Sequence, residues 1–152
     1  MFDRAILITA NEHLGQRDKG GKAYILHPIR LAMRLRTDDE ELMCIAVLHD
    51  AVEDGKVTFN DLVEQGFSNR VVNALKLLTH QRGINYEEYI HNMRDNYDAL
   101  RVKREDLKDN SDLSRLKGIS EKDLDRLNKY AVAYTTITGY IKSIENNLIT
   151  RN

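Results

Sequence analysis

The stretch Leu42–Asp54, LMCIAVLHDAVED, constrains this chain more than any other. Leu42 to Leu48 are apolar on every side of a helix, which predicts an element enclosed by protein all round. The run then delivers His49, Asp50, Glu53 and Asp54. On a continuing helix His49 would face Glu53 and Asp50 would face Asp54, because residues four apart share a side. Unpaired carboxylates are expensive to bury, so acids at the end of a core helix call for a metal, a cation or water. A neighbouring His and Asp offer one nitrogen and one oxygen, a mixed set suited to a divalent transition metal. This stretch alone also allows a plainer arrangement, a helix that emerges into solvent with an acidic end.

A helix buried all round needs a sizeable shell, and 152 residues can supply one as a single domain with a real core. With 41% hydrophobic and 31% charged residues the composition is that of a soluble globular protein. The net charge of −1 implies no global attraction to nucleic acid or membrane. Cys44 is the single cysteine, which excludes an internal disulfide and fits a reducing, cytoplasmic setting. No apolar run approaches the roughly 20 residues of a membrane span, and no signal-peptide pattern opens the chain. The charge is nevertheless divided. His13 to Arg36 holds six basic residues (Arg17, Lys19, Lys22, Arg30, Arg34, Arg36) against Asp18, whereas Asp38 to Glu64 holds nine acids against Lys56. A basic segment beside an acidic one with metal-ligand chemistry suits an anionic substrate handled with a metal.

The remaining pattern is helical. Phe2, Ala5, Ile6, Ala10 and His13 recur at helical spacing, predicting a first helix over 2–14 that Gly15 stops. GQRDKGGKAYILHP, with three of the eight glycines and the only proline, reads as a loop. Pro28 should keep His27 out of helical geometry and open a short helix carrying Arg30, Arg34 and Arg36 on its outer side. Asp38 with Glu41 reads as a cap for the buried helix. Further starts are predicted at Thr58 (with Asp61), Ser68, Asn85 (with Glu88) and Ser120 (with Asp123). The helices from Asn85 and Ser120 should cover 86–96 and about 121–147. The last should bury Leu124, Leu127, Ala131, Tyr134, Ile137, Ile141 and Ile144. Leu100, Val102, Leu107 and Leu113 anchor the charged region 98–115. With no period-two strand run, no repeat and no linker, the expected fold is an all-α single domain over 1–152.

Several motifs in order resemble the HD-domain metal-dependent phosphohydrolases, and among them the hydrolase domain of RelA/SpoT and its small single-domain relatives. They are GQRDKGGKAYILHP, LHDAVED, Leu78-Thr79 and VKREDLKDN, spread through residues 5–113. The family order is a histidine before proline, a His-Asp doublet, a Glu-Asp pair, and a distant aspartate four residues before an asparagine. Here these are His27, His49-Asp50, Glu53-Asp54, and Asp106 with Asn110.

The resemblance implies a compact HD-type helical bundle in which His27, His49, Asp50 and Asp106 are metal ligands. It suggests manganese, and the mixed nitrogen and oxygen set accommodates other divalent transition metals. Glu53 and Asp54 would position and deprotonate the attacking water. Lys19, on a family lysine, and Arg17 beside it would meet substrate phosphates. Asn110 would contact the sugar or hold the site together. The implied activity is hydrolysis of (p)ppGpp at the 3′ diphosphate, giving GDP or GTP and pyrophosphate, with a nucleotide as partner and no nucleic acid or membrane. Two alternatives remain open: an HD-type hydrolase of another nucleotide, and a non-catalytic nucleotide-binding HD module. Four positions depart from the family pattern. Asp18 stands where the long members carry an arginine that packs on the purine, Glu105 replaces an alanine, Leu107 an arginine, and Leu113 a small hydroxyl residue. These departures predict intact metal chemistry with altered base recognition.

Overall fold

The apolar run becomes the axis of the fold. The computed structural model describes residues 1–53, 56–116 and 118–150. In it, helix α3 (Glu40–Leu48) buries Leu42, Cys44, Ile45, Ala46, Val47 and Leu48. Around α3 pack α1 (Phe2–Glu12), α2 (Leu26–Arg34), α5 (Asn69–Leu78) and α7 (Tyr97–Asn110). Two short helices, α4 (Phe59–Glu64) and α6 (Tyr86–Asn92), lean on α5 and on the long α8 (Glu121–Ile149), which lies along α7. Among the described residues there is no strand, only one isolated bridge between Arg17 and Ala23 that draws the intervening loop together. The fold is therefore all-α. Leu31, Leu42, Ile45, Leu48, Leu75 and Leu100 are almost wholly enclosed, and each contributes about 1.5–3 kcal/mol by leaving water.

Helix starts follow the local chemistry. Thr58 and Ser120 form reciprocal capping boxes with Asp61 and Asp123, and the Ser68 and Asn85 side chains accept from backbone N–H groups three residues on. The cap of α3 is Asp39, which accepts from the Leu42 N–H, rather than Asp38. Asp39 is favoured because Arg70 on α5 reaches it along with Glu41 and with Asp98 on α7, tying three helices together.

Two boundaries that shape the site differ from expectation. Helix α2 begins at Leu26, so His27 and Pro28 lie inside its first turn. The first N–H groups of a helix have no intrahelical partner, so a proline there sacrifices nothing. Helix α3 stops at Leu48, and His49, Asp50 and Glu53 continue as turns, closed by Ala51 N–H to Leu48 and Glu53 N–H to Asp50. The expected four-residue pairing of His49 with Glu53 on one helix face is thus replaced by a tighter turn. Helix α8 buries Ala133, Ile137 and Ile141, whereas Leu124 is 57% exposed and Ala131 is exposed too, because α8 is covered chiefly along its middle. Leu113, expected as an anchor, is exposed in a 3-10 turn, Leu113–Arg115. No helix of the described residues is long and apolar enough to cross a membrane.

Candidate functional site

Four donor atoms from three elements converge at the end of α3. His27 comes from α2, His49 and Asp50 from the turn after α3, and Asp106 from α7. His27 Nε2 lies 3.2 Å from His49 Nε2, 3.2 Å from Asp106 Oδ1 and 3.7 Å from Asp50 Oδ2. His49 Nε2 lies 3.1 Å from Asp50 Oδ2 and 3.7 Å from Asp106 Oδ1. His27, His49 and Asp50 each offer an atom within 4.8 Å of the others. Ligands about 2.0–2.2 Å from a shared cation stand roughly 3.0–3.6 Å apart, so these spacings suit a divalent metal.

The far side of each imidazole fixes what the near side offers. His49 Nδ1–H donates to the Ala46 carbonyl at 2.8 Å, and His27 Nδ1–H donates to Asp109 Oδ2 at 2.7 Å. Both Nε2 lone pairs therefore point at the same place, an arrangement two neutral imidazoles would resist unless a cation or a proton sat between them. Burial works against charging His49, but the Asp50 and Asp106 carboxylates outweigh it and push its pKa up to about 10. Against the same burial penalty, Asp106 and Asp109 raise His27. Burial alone would raise the two carboxyls; His49 beside Asp50, and Lys103 beside Asp106, hold them well below the usual carboxylate range.

Asp106 is held by its own helix. Lys103 Nζ donates to Asp106 Oδ2 at 2.7 Å and Asn110 Nδ2 donates to Oδ1 at 2.6 Å, since positions three and four apart share a helix face. Lys103 is mostly buried, and its Nζ lies 5.3 Å from the centre of the Tyr89 ring. The Tyr24 hydroxyl donates to Asp50 Oδ2. Tyr24 and Lys103 were not among the expected site residues, and neither was Asp109. Its buried carboxylate accepts from His27 and from Arg30 Nε and Nη2, each at 2.8 Å, and pairs with Arg34 at 2.9 Å and with Arg115. Its spacing of three from Asp106 was the available signal.

Beside the cluster opens a cavity of about 240 Å³ whose walls include Arg17, Lys19, Tyr24, His27, Asn110, Arg126 and Tyr130. Arg17, Lys19 and Asn110 are thereby brought to one space with His27. Lys19 is largely exposed, its Nζ 3.6 Å from Asp123 Oδ1. Glu53 is exposed in the turn after Asp50, and Asp54 lies outside the described residues. Of the four departures, only Asp18 lines this cavity, and its carboxylate is engaged by Arg115 Nη2 at 3.1 Å. Leu107 is core, Glu105 is paired with Lys108 at 2.7 Å, and Leu113 faces outward. A larger cavity, about 660 Å³ between α6 and α8, is lined by none of His27, His49, Asp50 and Asp106.

No protein-family model matches the chain. It is 32% identical over 88 residues to a guanosine-3′,5′-bis(diphosphate) 3′-pyrophosphohydrolase of Aquifex aeolicus, a match covering 57% of this chain and 12% of that protein. It is 36% identical over 76 residues to the bifunctional (p)ppGpp synthase/hydrolase SpoT of Escherichia coli, covering 48% of this chain and 10% of SpoT. The matches thus span about a tenth of these relatives' length. A solved structure described as a metazoan ortholog of SpoT that hydrolyzes ppGpp superposes with a TM-score of 0.72 at 22% identity, covering 96% of this chain and 94% of that one. The chain is thus similar to these hydrolases in sequence over about half its length and shares the fold of the solved structure over nearly all of it.

Proposed function

We propose that this protein is a metal-dependent (p)ppGpp 3′-pyrophosphohydrolase. The observation that carries the reading is the meeting of two inward Nε2 atoms and two carboxylates with a cavity that holds Arg17, Lys19 and Asn110. The likeness to named pyrophosphohydrolases supports the substrate class. His27, His49, Asp50 and Asp106 would hold the metal, with Mn²⁺ the ion we favour. When bound, it supplies a Lewis acid for phosphoryl oxygens and makes water a competent nucleophile near neutral pH.

The chain's own residues supply the rest. Lys19 and Arg17 bind the diphosphate through charge-assisted hydrogen bonds. Asn110 and Lys103 hold the Asp106 carboxylate so that it keeps one orientation. Glu53, with Asp54 next in the chain, accepts the proton of the attacking water. The water oxygen bonds to the phosphorus on the 3′ oxygen and the P–O3′ bond breaks. Its electron pair stays on the 3′ oxygen, which is protonated, and pyrophosphate departs. Asp18 cannot give a purine the cationic plane of an arginine, so this reading predicts looser discrimination between guanine and adenine.

The test is a panel of ppGpp, its adenine counterpart and ordinary nucleoside triphosphates, with Mn²⁺ added and product identified as pyrophosphate or phosphate. Pyrophosphate from ppGpp is expected. Cleavage of nucleoside triphosphates without hydrolysis of ppGpp would transfer the protein to the nucleotidase reading. Binding of nucleotide without turnover would make it a non-catalytic module.

A further inference from the structure

A continuous set of contacts links His27 to the loop that carries Lys19. It begins at Asp109, whose side chain is fully enclosed on α7. One of its carboxylate oxygens, Oδ2, accepts from His27 Nδ1, from Arg30 Nη2 and from Arg115 Nη1. The other, Oδ1, takes Arg30 Nε and lies 2.9 Å from Arg34 Nη1. A carboxylate gripped from both sides by guanidinium groups cannot swing, so the imidazole that donates to it cannot turn either.

The set continues through Arg115. Its Nη1 also donates to the Asp109 carbonyl at 2.8 Å, while Nη2 reaches Asp18 Oδ2 at 3.1 Å. Asp18 in turn closes its own loop: Oδ1 accepts the Lys22 N–H at 2.9 Å and its carbonyl accepts the Gly21 N–H at 2.9 Å. Gly20 supplies an independent sign that this loop is seated on Arg115. A Cβ at position 20 would stand 2.4 Å from the Arg115 carbonyl oxygen, closer than two such atoms approach. The backbone contact and the side-chain contact thus hold the same loop against the same residue.

We propose that Asp109 and Arg115 are positioning residues: Asp109 fixes the His27 ring toward the metal, and Arg115, seated on Asp109, sets loop 18–22 and hence Lys19. This rests on the reading of His27 as a ligand and of Lys19 as a phosphate contact. The two halves have separate signatures. Losing the Asp109 charge frees His27, whereas losing the Arg115 fork frees the loop and leaves Asp109 with Arg30 and Arg34.

Isothermal titration with Mn²⁺ alone and with inorganic pyrophosphate, beside steady-state kinetics on ppGpp, separates the halves. Asp109→Asn, which keeps shape and drops charge, should weaken Mn²⁺ binding about 10–100-fold. Arg115→Gln should leave Mn²⁺ affinity within about twofold. It should weaken pyrophosphate binding and raise KM about tenfold, with kcat changed less. Gly20→Ala should repeat the Arg115→Gln pattern, and Arg115→Lys, a point charge in place of a fork, should restore it only in part. Metal and anion affinity falling together in both variants, as general loosening would produce, overturns the assignment. So does unchanged Mn²⁺ affinity in Asp109→Asn. If Asp109→Asn does not fold, nitrogen chemical shifts of His27 in the zinc-loaded wild type decide its half. A protonated Nδ1 with Nε2 on the metal supports it, and the reverse overturns it. Wild-type protein that binds no metal defeats the proposed function itself, which is a different result from wild-type binding with an indifferent Asp109→Asn.

Discussion

His27 and His49 face each other Nε2 to Nε2 at 3.2 Å, and neither ring is free to turn away because each Nδ1 is already hydrogen-bonded. Such a pair is built around a positive charge. His49→Ala and Asp106→Ala each remove one of the four converging atoms, and both should lose Mn²⁺ binding along with activity. Wild-type protein should melt at a higher temperature with Mn²⁺, and neither variant should. Wild-type metal affinity in either one would dismiss that residue as a ligand.

The metal-free protein should be sensitive to alkali. His49 holds its proton up to about pH 10 when folded, against an ordinary value of 6.5, because Asp50 and Asp106 overcome the burial penalty. The stability from that proton is complete below about pH 6.5 and disappears as pH rises through 10. Asp50 and Asp106, held low in the fold, contribute above about pH 4 and lose their contribution as pH falls. With chelator present, Tm should therefore be highest between about pH 4 and 6.5 and decline above it. Mn²⁺ bound at the cluster would take the proton's place and should flatten the alkaline decline. A level Tm from neutral pH to pH 10 in chelator would contradict the arrangement.

Glu53 separates binding from chemistry. It follows the His49-Asp50 doublet by one turn and is exposed. Glu53→Gln keeps the shape but cannot take a proton, so Mn²⁺ should bind as before while kcat falls about 10²–10⁴-fold. Loss of metal in this variant would make Glu53 a ligand instead.

Lys103 carries a charge inside the protein. Burial disfavours its ammonium, but the Asp106 carboxylate that it donates to keeps it protonated. Lys103→Met would strand Asp106 Oδ2 without its partner and should cost about 3–5 kcal/mol in denaturant unfolding of the metal-free protein. Mn²⁺ should recover part of the loss, since the cation neutralises the same carboxylate. No difference between the two conditions would leave Lys103 as ordinary core packing.

Lys19 reaches the cavity from an exposed position with only a long contact to Asp123 at 3.6 Å. Lys19→Ala should raise KM about tenfold and lower kcat less, the pattern of a contact alike in ground and transition states. A drop confined to kcat would place Lys19 in the transition state alone.

The parts of the fold that depend on neighbours in sequence were legible. Thr58, Ser68, Asn85 and Ser120 cap helices where their side chains suggest, and the run from Leu42 forms the buried axis. The order of His27, His49-Asp50 and Asp106 also pointed to residues that the fold brings together. What depends on distant parts of the chain was not legible. Asp109 meets His27 across 82 residues and Arg30 across 79, and Arg115 meets Asp18 across 97. No periodicity records such meetings. Asp18 accordingly read as a missing arginine, whereas in the fold it is a tie for Arg115. The exposed Leu124 shows the same limit, because α8 repeats apolar residues beyond the length that α7 and α6 cover.

The hydrogen bond from Tyr24 to Asp50 gives the protein a built-in optical label. There are seven tyrosines and no tryptophan, so ultraviolet emission comes from phenol rings alone. One of those rings has its hydroxyl on a carboxylate of the His-Asp cluster, and another, Tyr130, lines the adjoining cavity. A carboxylate acceptor dims a tyrosine, and a cation that draws the carboxylate away should brighten it. The untagged, unmodified molecule can thus be titrated by its own light.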